Sequence, residues 1–384
     1  MEFDVGVIGA GIHGSSAAFH LASRGLRVAI FEREGPAAGP TGRSSAICRA
    51  YYTNAFLARC ARDSIEMFKR FPEVTGGGDA EFRHTGLLFM HPPEDEERVR
   101  RSAEQLAELD IQVDVLEPDD IAGRFSMFDL DGIGIGAWER SAGYADPAGA
   151  TMGLFTGALA RGAEARVGHP VTELRLEDDG AATVLAGDGE RTRCRRVLVA
   201  AGPWTRGLAA QVGVELPLTV ERHIVGVYRW GEARPAPAHG DLVGGYYFRP
   251  EGDELFLVGP VHAAPEADPD NFDQRAGQRE LEDLAAPVTR RVPELQGASI
   301  HGGWASLYDV SPDWQPVIGE IAPGVYVDAG TSGHGFKIAP ELGRQVAALV
   351  AGEVMDPAIE EFHPRRFDRG ESLDAGYGEA RILG

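Results

Sequence analysis

Three observations predict an α/β fold interrupted by an inserted antiparallel-sheet unit of α+β character. Residues 2–32 run strand, glycine turn, helix, strand and acid in that order. Two later segments, Val197-Leu198-Val199-Ala200-Ala201-Gly202 and Val325-Tyr326-Val327-Asp328-Ala329-Gly330, are again apolar strands running into glycine. Residues 217–300 change character and alternate apolar with polar residues, with aromatics, as in Ile224 to Trp230, Tyr246 to Arg249 and Leu255 to Gly259.

The first unit has the chemistry of a dinucleotide site. Its glycines are Gly9, Gly11 and Gly14. Gly9 permits the tight turn off the strand, Gly11 lets a pyrophosphate approach the backbone, and Gly14 lets the helix pack closely. Ile12 and His13 open that helix, whose N-terminus offers N–H groups and a positive dipole end to phosphates. Glu32 lies 18 residues beyond Gly14, where an acid accepts hydrogen bonds from ribose hydroxyls, and Arg33 follows it. The motif does not choose between NAD and FAD.

The remaining elements follow in order. Residues 35–42 are a loop by composition, 54–72 a helix with Leu57, Ala61, Ile65 and Phe68 on one face, and Gly76 to Gly78 a break. Gly86 to Met90 is a short strand, 94–108 a charged helix, Val113 to Leu116 a strand, and Pro118 lies at the opening of another helix. A long helix is expected over 147–162, strands over 166–167, 171–176, 181–185 and 192–200, and a last helix over 339–351. The dinucleotide domain is therefore expected from residues 1–80, 142–216 and 319–384, and the substrate domain from 81–141 and 217–318.

Composition bounds the function. A chain of 384 residues is long enough for two domains. A net charge of −22 excludes unassisted nucleic-acid binding and an anionic membrane surface. No apolar run reaches the length that spans a bilayer. The first strand begins by residue 3, leaving no room for a signal peptide, so a cytoplasmic location is expected. Cys48, Cys60 and Cys194 form neither a disulfide framework nor a zinc site, and no metal is expected. Only two of the 37 Lys and Arg side chains are lysines, Lys69 and Lys337.

Arg49 precedes Tyr51 and Tyr52, and an arginine among aromatics suits a bidentate grip on carboxylate. Residues 41–47 are small and glycine-rich, suited to wrapping a flat ring, and Arg43 is placed either to meet a phosphate or to sit in solvent. His334, set between glycines, titrates near neutral pH.

Five places in order resemble the D-amino-acid-oxidase-like flavoprotein superfamily, closest to its sarcosine oxidase branch of amine and amino-acid oxidoreductases. They are the N-terminal unit, Thr41 to Arg49, Gly143 to Pro147, Ala201 to Trp204, and the pair Tyr308 to Asp313 with Gly333 to Lys337. The resemblance implies a discontinuous Rossmann-like FAD-binding domain and oxidation of a carboxylate-bearing amine. It implies FAD contacts from Gly9, Gly11, Ile12, His13, Gly14, Glu32, Arg33, Arg43, Ser44, Ser45, Val171, Ala201, Gly202, Trp204, Gly333, His334, Gly335, Phe336 and Lys337. It implies that Arg49 and Lys337 bind the substrate carboxylate, with His334, Tyr246 and Tyr308 beside them. Ser306 stands where some members carry the cysteine that bonds FAD, so FAD is expected to be noncovalent. Leu257 stands where oxidase members carry a lysine that promotes oxygen reduction, which favours a dehydrogenase; the electron acceptor itself stays open. A 2-hydroxy-acid dehydrogenase with His334 as base and a non-catalytic flavin subunit remain as alternatives.

Overall fold

The computed structural model describes residues 2–177, 180–187, 189–231 and 237–373. The end of the expected third nucleotide-domain segment, 374–384, lies outside the described residues.

The N-terminal strand Glu2–Ile8 lies at the centre of the first sheet, because an alternative edge position would expose its apolar run. It pairs in parallel with Val28–Glu32 on one side and Arg191–Val199 on the other. Glu164–Val167 extends the sheet in parallel beyond Val28–Glu32. Arg191–Val199 is shared along its length: its first half pairs with Ala182–Ala186, its second half with Val325–Ala329. Val317–Ala322 turns back on Val325–Ala329, so this piece starts two residues before the expected 319. Helices Ile12–Ser23, Pro147–Ala160 and Ala339–Ala351 pack together against the sheet. Val7, Val28, Ile30, Val197 and Leu198 are fully enclosed. Each such side chain stabilises the fold by about 1.5–3 kcal/mol relative to exposure.

Among the described residues the second sheet has eight strands, in the order Ser299–Val310, Thr219–Arg229, Leu255–Pro260, Tyr246–Glu251, His239–Asp241, Leu87–His91, Ile135–Glu139, Val113–Leu116. It departs from the expected antiparallel pattern at one place, where His239–Asp241 runs parallel to Leu87–His91. The segment expected to be all sheet also contains a helix, Gln278–Arg291. Leu281, Leu284 and Val288 recur there at helical spacing and are buried, and Arg291 closes the end on a buried ion pair with Asp241 at 2.7 Å. This helix covers one face of the sheet, where Leu284 and Val288 share a core with Tyr246, Phe248, Phe256 and Val258. The opposite face is turned to the first sheet.

A third, small sheet joins Ile47–Cys48, Arg83–His84 and Gly143–Tyr144. It pins the chain just ahead of Arg49. The helix expected over 54–72 is two helices, Ala55–Lys69 and Phe71–Thr75, because Pro72 cannot donate into a continuing helix. The Asn54 side chain caps the first by accepting from the Phe56 and Leu57 N–H groups.

Candidate active site

A cleft of about 560 Å³ runs between the two large sheets. Gly9, Gly11, Ile12, His13, Glu32, Arg33, Arg43, Ser44, Ser45, Val171, Ala201, Gly202, Trp204, Tyr308, Gly333, Gly335 and Phe336 all line it. The sequence-expected cofactor contacts are thus brought together, with three exceptions. Gly14 sits behind the turn, and His334 and Lys337 are enclosed beyond the wall.

At one end the glycine turn behaves as its sequence requires. Gly9 has φ +105°, a conformation that favours glycine, and donates its N–H to Phe31 at 2.8 Å. A Cβ on Gly14 would lie 2.0 Å from the Gly9 carbonyl oxygen, so helix and strand touch there. A Cβ on Gly11 would project into the cleft and meet only the Thr41 hydroxyl within 4 Å, at 3.1 Å. Thr41 also accepts the Ile12 N–H at 3.2 Å. Glu32 accepts the Ala10 and Glu34 N–H groups at 2.8 Å each, which fixes its carboxylate at the cleft edge. Asp270, from the second unit, reaches over this end to Arg33 and to the Trp204 indole, both at 2.9 Å, and the Arg33 guanidinium stacks on Trp204 at 4.2 Å.

His13 contributes its side chain as well as its place in the helix. Its ring bridges the Asp328 carboxylate at 2.9 Å and the Gly335 carbonyl at 3.2 Å. Burial opposes its protonation, but the charge and hydrogen bond of Asp328 outweigh burial and hold its pKa above the ordinary value. Arg43 lines the cleft and donates to Gln274 at 2.7 Å.

Two enclosed basic side chains, Arg49 and Lys337, are not among the residues that line the cleft. Arg49 is 3% exposed, donates to the Tyr51 carbonyl, and lies over the rings of Tyr52 at 4.4 Å and Phe89 at 5.6 Å. Lys337 is 7% exposed and donates to the His334 carbonyl at 3.3 Å, its acceptor among the described residues. Burial, and next the charge of Arg49, push the Lys337 pKa well below its ordinary value. The two basic side chains therefore feel one another. Glu139, nearby, is held by the Ala50 and Tyr51 N–H groups at 2.9 Å and the Ser141 hydroxyl at 3.0 Å.

Two expected site residues point elsewhere. The His334 ring is wholly buried, with Nε2 on the Trp314 carbonyl at 2.8 Å and Nδ1 3.3 Å from the Tyr52 hydroxyl. Burial, then Lys337, push its pKa down to about 3, and both ring nitrogens are engaged inside the protein. The turn at Ser332 and Gly333, both at positive φ, swings it inward. Tyr246 lies in the separate core on the far side of the second sheet, its hydroxyl 3.3 Å from His239. Its neighbour Tyr247 lines the cleft instead, because side chains alternate along a strand.

Tyr247 belongs to a polar row that sequence reading missed. It hydrogen-bonds to Ser45 and to Tyr308. Gly259 faces it across the sheet, where a Cβ would come within 2.2 Å of the Tyr247 ring. Tyr308 has its ring against the Gly333 backbone and stacks on His223 at 3.8 Å. His223 is paired in register with Ser306, and both line the cleft. The spacing of Glu221 and His223, two apart on a strand, was the available signal.

A family model described as "DAO: FAD dependent oxidoreductase" matches residues 4–349. The chain belongs to this family. Monomeric sarcosine oxidase from Streptomyces avermitilis is 27% identical over 95% of this chain and 97% of its own. Mitochondrial dimethylglycine dehydrogenase from Rattus norvegicus is 27% identical over 82% of this chain, which spans 38% of that longer protein. The crystal structure of L-proline dehydrogenase from P. horikoshii superposes with a TM-score of 0.85 at 26% identity, covering 97% of this chain and 99% of that one.

The residues present fit the family's FAD. The cleft offers a glycine-lined helix N-terminus for the pyrophosphate, Glu32 for a ribose, and at its far end an apolar-and-tyrosine wall for a flat ring. Among the described residues no helix is long and apolar enough to cross a membrane.

Proposed function

We propose that this protein oxidises a small amino acid or N-alkyl amino acid, of sarcosine, proline or glycine type, at the C–H next to nitrogen. The observation that carries this reading is the enclosed Arg49–Lys337 pair beyond the ring end of the cleft. Two like charges out of water oppose each other, and a substrate carboxylate set between them accepts charge-assisted hydrogen bonds from both. FAD, when bound, supplies the hydride acceptor. The protein's residues supply position and field. The cation pair anchors the carboxylate, and its field lowers the pKa of the substrate amine so that the neutral form is favoured. Enclosure excludes water during C–H cleavage, and the imine product is hydrolysed. The names of the sarcosine, dimethylglycine and proline enzymes that resemble this chain support the same substrate class.

The 2-hydroxy-acid alternative relied on His334, which is turned away and opposed to protonation. We favour a dehydrogenase over an oxidase, because Leu257 packs among Val225 and Val227 and brings no cation there. We also infer noncovalent FAD, since Ser306 lines the cleft and none of the three cysteines does. The test is anaerobic mixing of the FAD-loaded protein with sarcosine, proline, dimethylglycine, glycine, D-amino acids and lactate, followed by admission of air. Bleaching of the visible flavin band by an amine, with slow recovery in air, is expected. Bleaching by lactate alone, or by nothing, overturns the reading.

A further inference from the structure

Arg249 is a buried cation that the functional reading leaves unused. It is 4% exposed and lies two residues beyond Tyr247 on the strand Tyr246–Glu251, so both side chains leave that strand on the same face. Tyr247 lines the cleft; Arg249 does not, but it holds a residue that does. Its Nε donates to the Ser45 carbonyl at 2.6 Å. The guanidinium sits over the Tyr144 ring at 4.2 Å, and Nη1 donates to the Pro250 carbonyl at 2.9 Å and to the Glu251 carboxylate. The Glu251 side chain is 45% exposed, so water screens the acid while the cation stays enclosed.

Ser45 belongs to a turn, residues 43–46, that the rest of the chain grips from behind. The Trp304 indole donates to the Arg43 carbonyl at 2.8 Å, Arg249 to the Ser45 carbonyl, and the Ala145 N–H to the Ala46 carbonyl at 3.1 Å. The Tyr247 hydroxyl hydrogen-bonds to the Ser45 side chain. Ala46 has φ +51°, a conformation that a residue with a Cβ keeps only where its surroundings impose it. Arg43, Ser44 and Ser45 line the cleft, and Tyr247 links Ser45 to Tyr308 on the wall that suits a flat ring. Of these ties, the one from Arg249 carries a full charge.

We propose that Arg249 is a positioning residue for the flavin ring. It fixes the Ser45 peptide on which the ring seats, and it sets a positive charge one hydrogen bond behind that seat. The inference rests on FAD binding, and the identity of the substrate does not enter it. A hydride carries one proton and two electrons, so its arrival brings the ring one unit of negative charge. A cation held out of water behind the ring favours that state. Glu251 offsets part of the field from the solvent side.

The test needs no substrate. The reduction potential of the bound flavin is measured against a reference dye in the FAD-loaded protein and in Arg249→Gln, Arg249→Lys and Glu251→Gln. At the wild-type midpoint, where oxidised and reduced flavin are equal, Arg249→Gln is expected to raise the oxidised-to-reduced ratio about 10-fold, which is about 30 mV for a two-electron couple. Arg249→Lys keeps the charge and should stay within about twofold of the wild-type ratio. It should still hold FAD about 10-fold more weakly, because an ammonium group cannot reproduce the fork that joins Ser45 to Glu251. Glu251→Gln unmasks the cation and should lower the ratio by about twofold. This half-solvated position serves alone where Arg249→Gln fails to load FAD. An unchanged ratio in Arg249→Gln, an equal shift in Arg249→Lys, or a ratio that does not fall in Glu251→Gln overturns the proposal. Wild-type FAD affinity in both Arg249 variants overturns it as well. Failure of the amine reading does not touch this test, because the dye couple supplies the electrons.

Discussion

Replacing Lys337 with Met separates what the cation does for binding from what it costs the fold. The side chain is enclosed, donates to one carbonyl at 3.3 Å, and faces the charge of Arg49. Methionine keeps most of the volume and removes the charge. A carboxylate ligand then loses one charge-assisted hydrogen bond, about 1.5–3 kcal/mol, or roughly 10- to 150-fold in Kd. The fold loses a desolvated, repelled ammonium, so its stability is expected to hold or rise. The pH dependence has a definite sign. The folded pKa of Lys337 lies below its ordinary value of 10.5, so between the two the unfolded chain binds more protons and wild-type stability rises with pH. Lys337→Met should lack that rise. The assay is titration of the FAD-loaded variant with a thioether carboxylate, followed in the visible flavin band, alongside urea unfolding at several pH values. An unchanged Kd, or a loss of stability like that of a removed ion-pair partner, would refute the reasoning.

Other outcomes follow from the same geometry. Gly14→Ala puts a Cβ 2.0 Å from the Gly9 carbonyl oxygen, and since both atoms are backbone-fixed the helix must shift. Unfolding should show a cost of about 1–3 kcal/mol, with little FAD retained on purification. Tyr246→Phe should cost about 1 kcal/mol through its lost contact to His239 and leave flavin reduction unchanged, whereas Tyr247→Phe should slow reduction several-fold. Burial holds His20 and His239 down to about 4 and His334 to about 3. Below about pH 6.5 the unfolded chain protonates these groups and the folded chain does not, so each removes about 2 kcal/mol by pH 5, partly offset by His13. Urea midpoints that stay flat from pH 7 to pH 5 would contradict this assignment.

The dinucleotide half of the molecule was legible because its signals are local. Gly9, Gly11, Gly14 and Glu32 act within one strand–helix–strand unit, and each role depends on a neighbour a few residues away. Arg49 was legible locally from the aromatics that follow it, but its pairing with Lys337 was legible only as a resemblance, since the fold alone brings together two basic residues so far apart in the chain. Tyr246 shows where local reading fails. In a tyrosine pair on a strand, register decides which ring faces the cleft, and that register is set by Gly259 on the next strand. His334 fails for a related reason: glycines on both sides suggest exposure, but the positive-φ turn before it directs the ring into the core. The helix Gln278–Arg291 was hidden because Pro287 interrupts its pattern and its apolar residues are few. His223 carried a signal, an acid two residues before it on a strand, but nothing local says that this face lines a cleft.

The most direct measurement is a crystal structure of the FAD-loaded protein with a thioether carboxylate bound. The expected result is the pyrophosphate at Gly11, the flavin ring beside Tyr308 and Gly333, and the ligand carboxylate within hydrogen-bond distance of both Arg49 and Lys337. A carboxylate held elsewhere, out of reach of both side chains, would contradict the account.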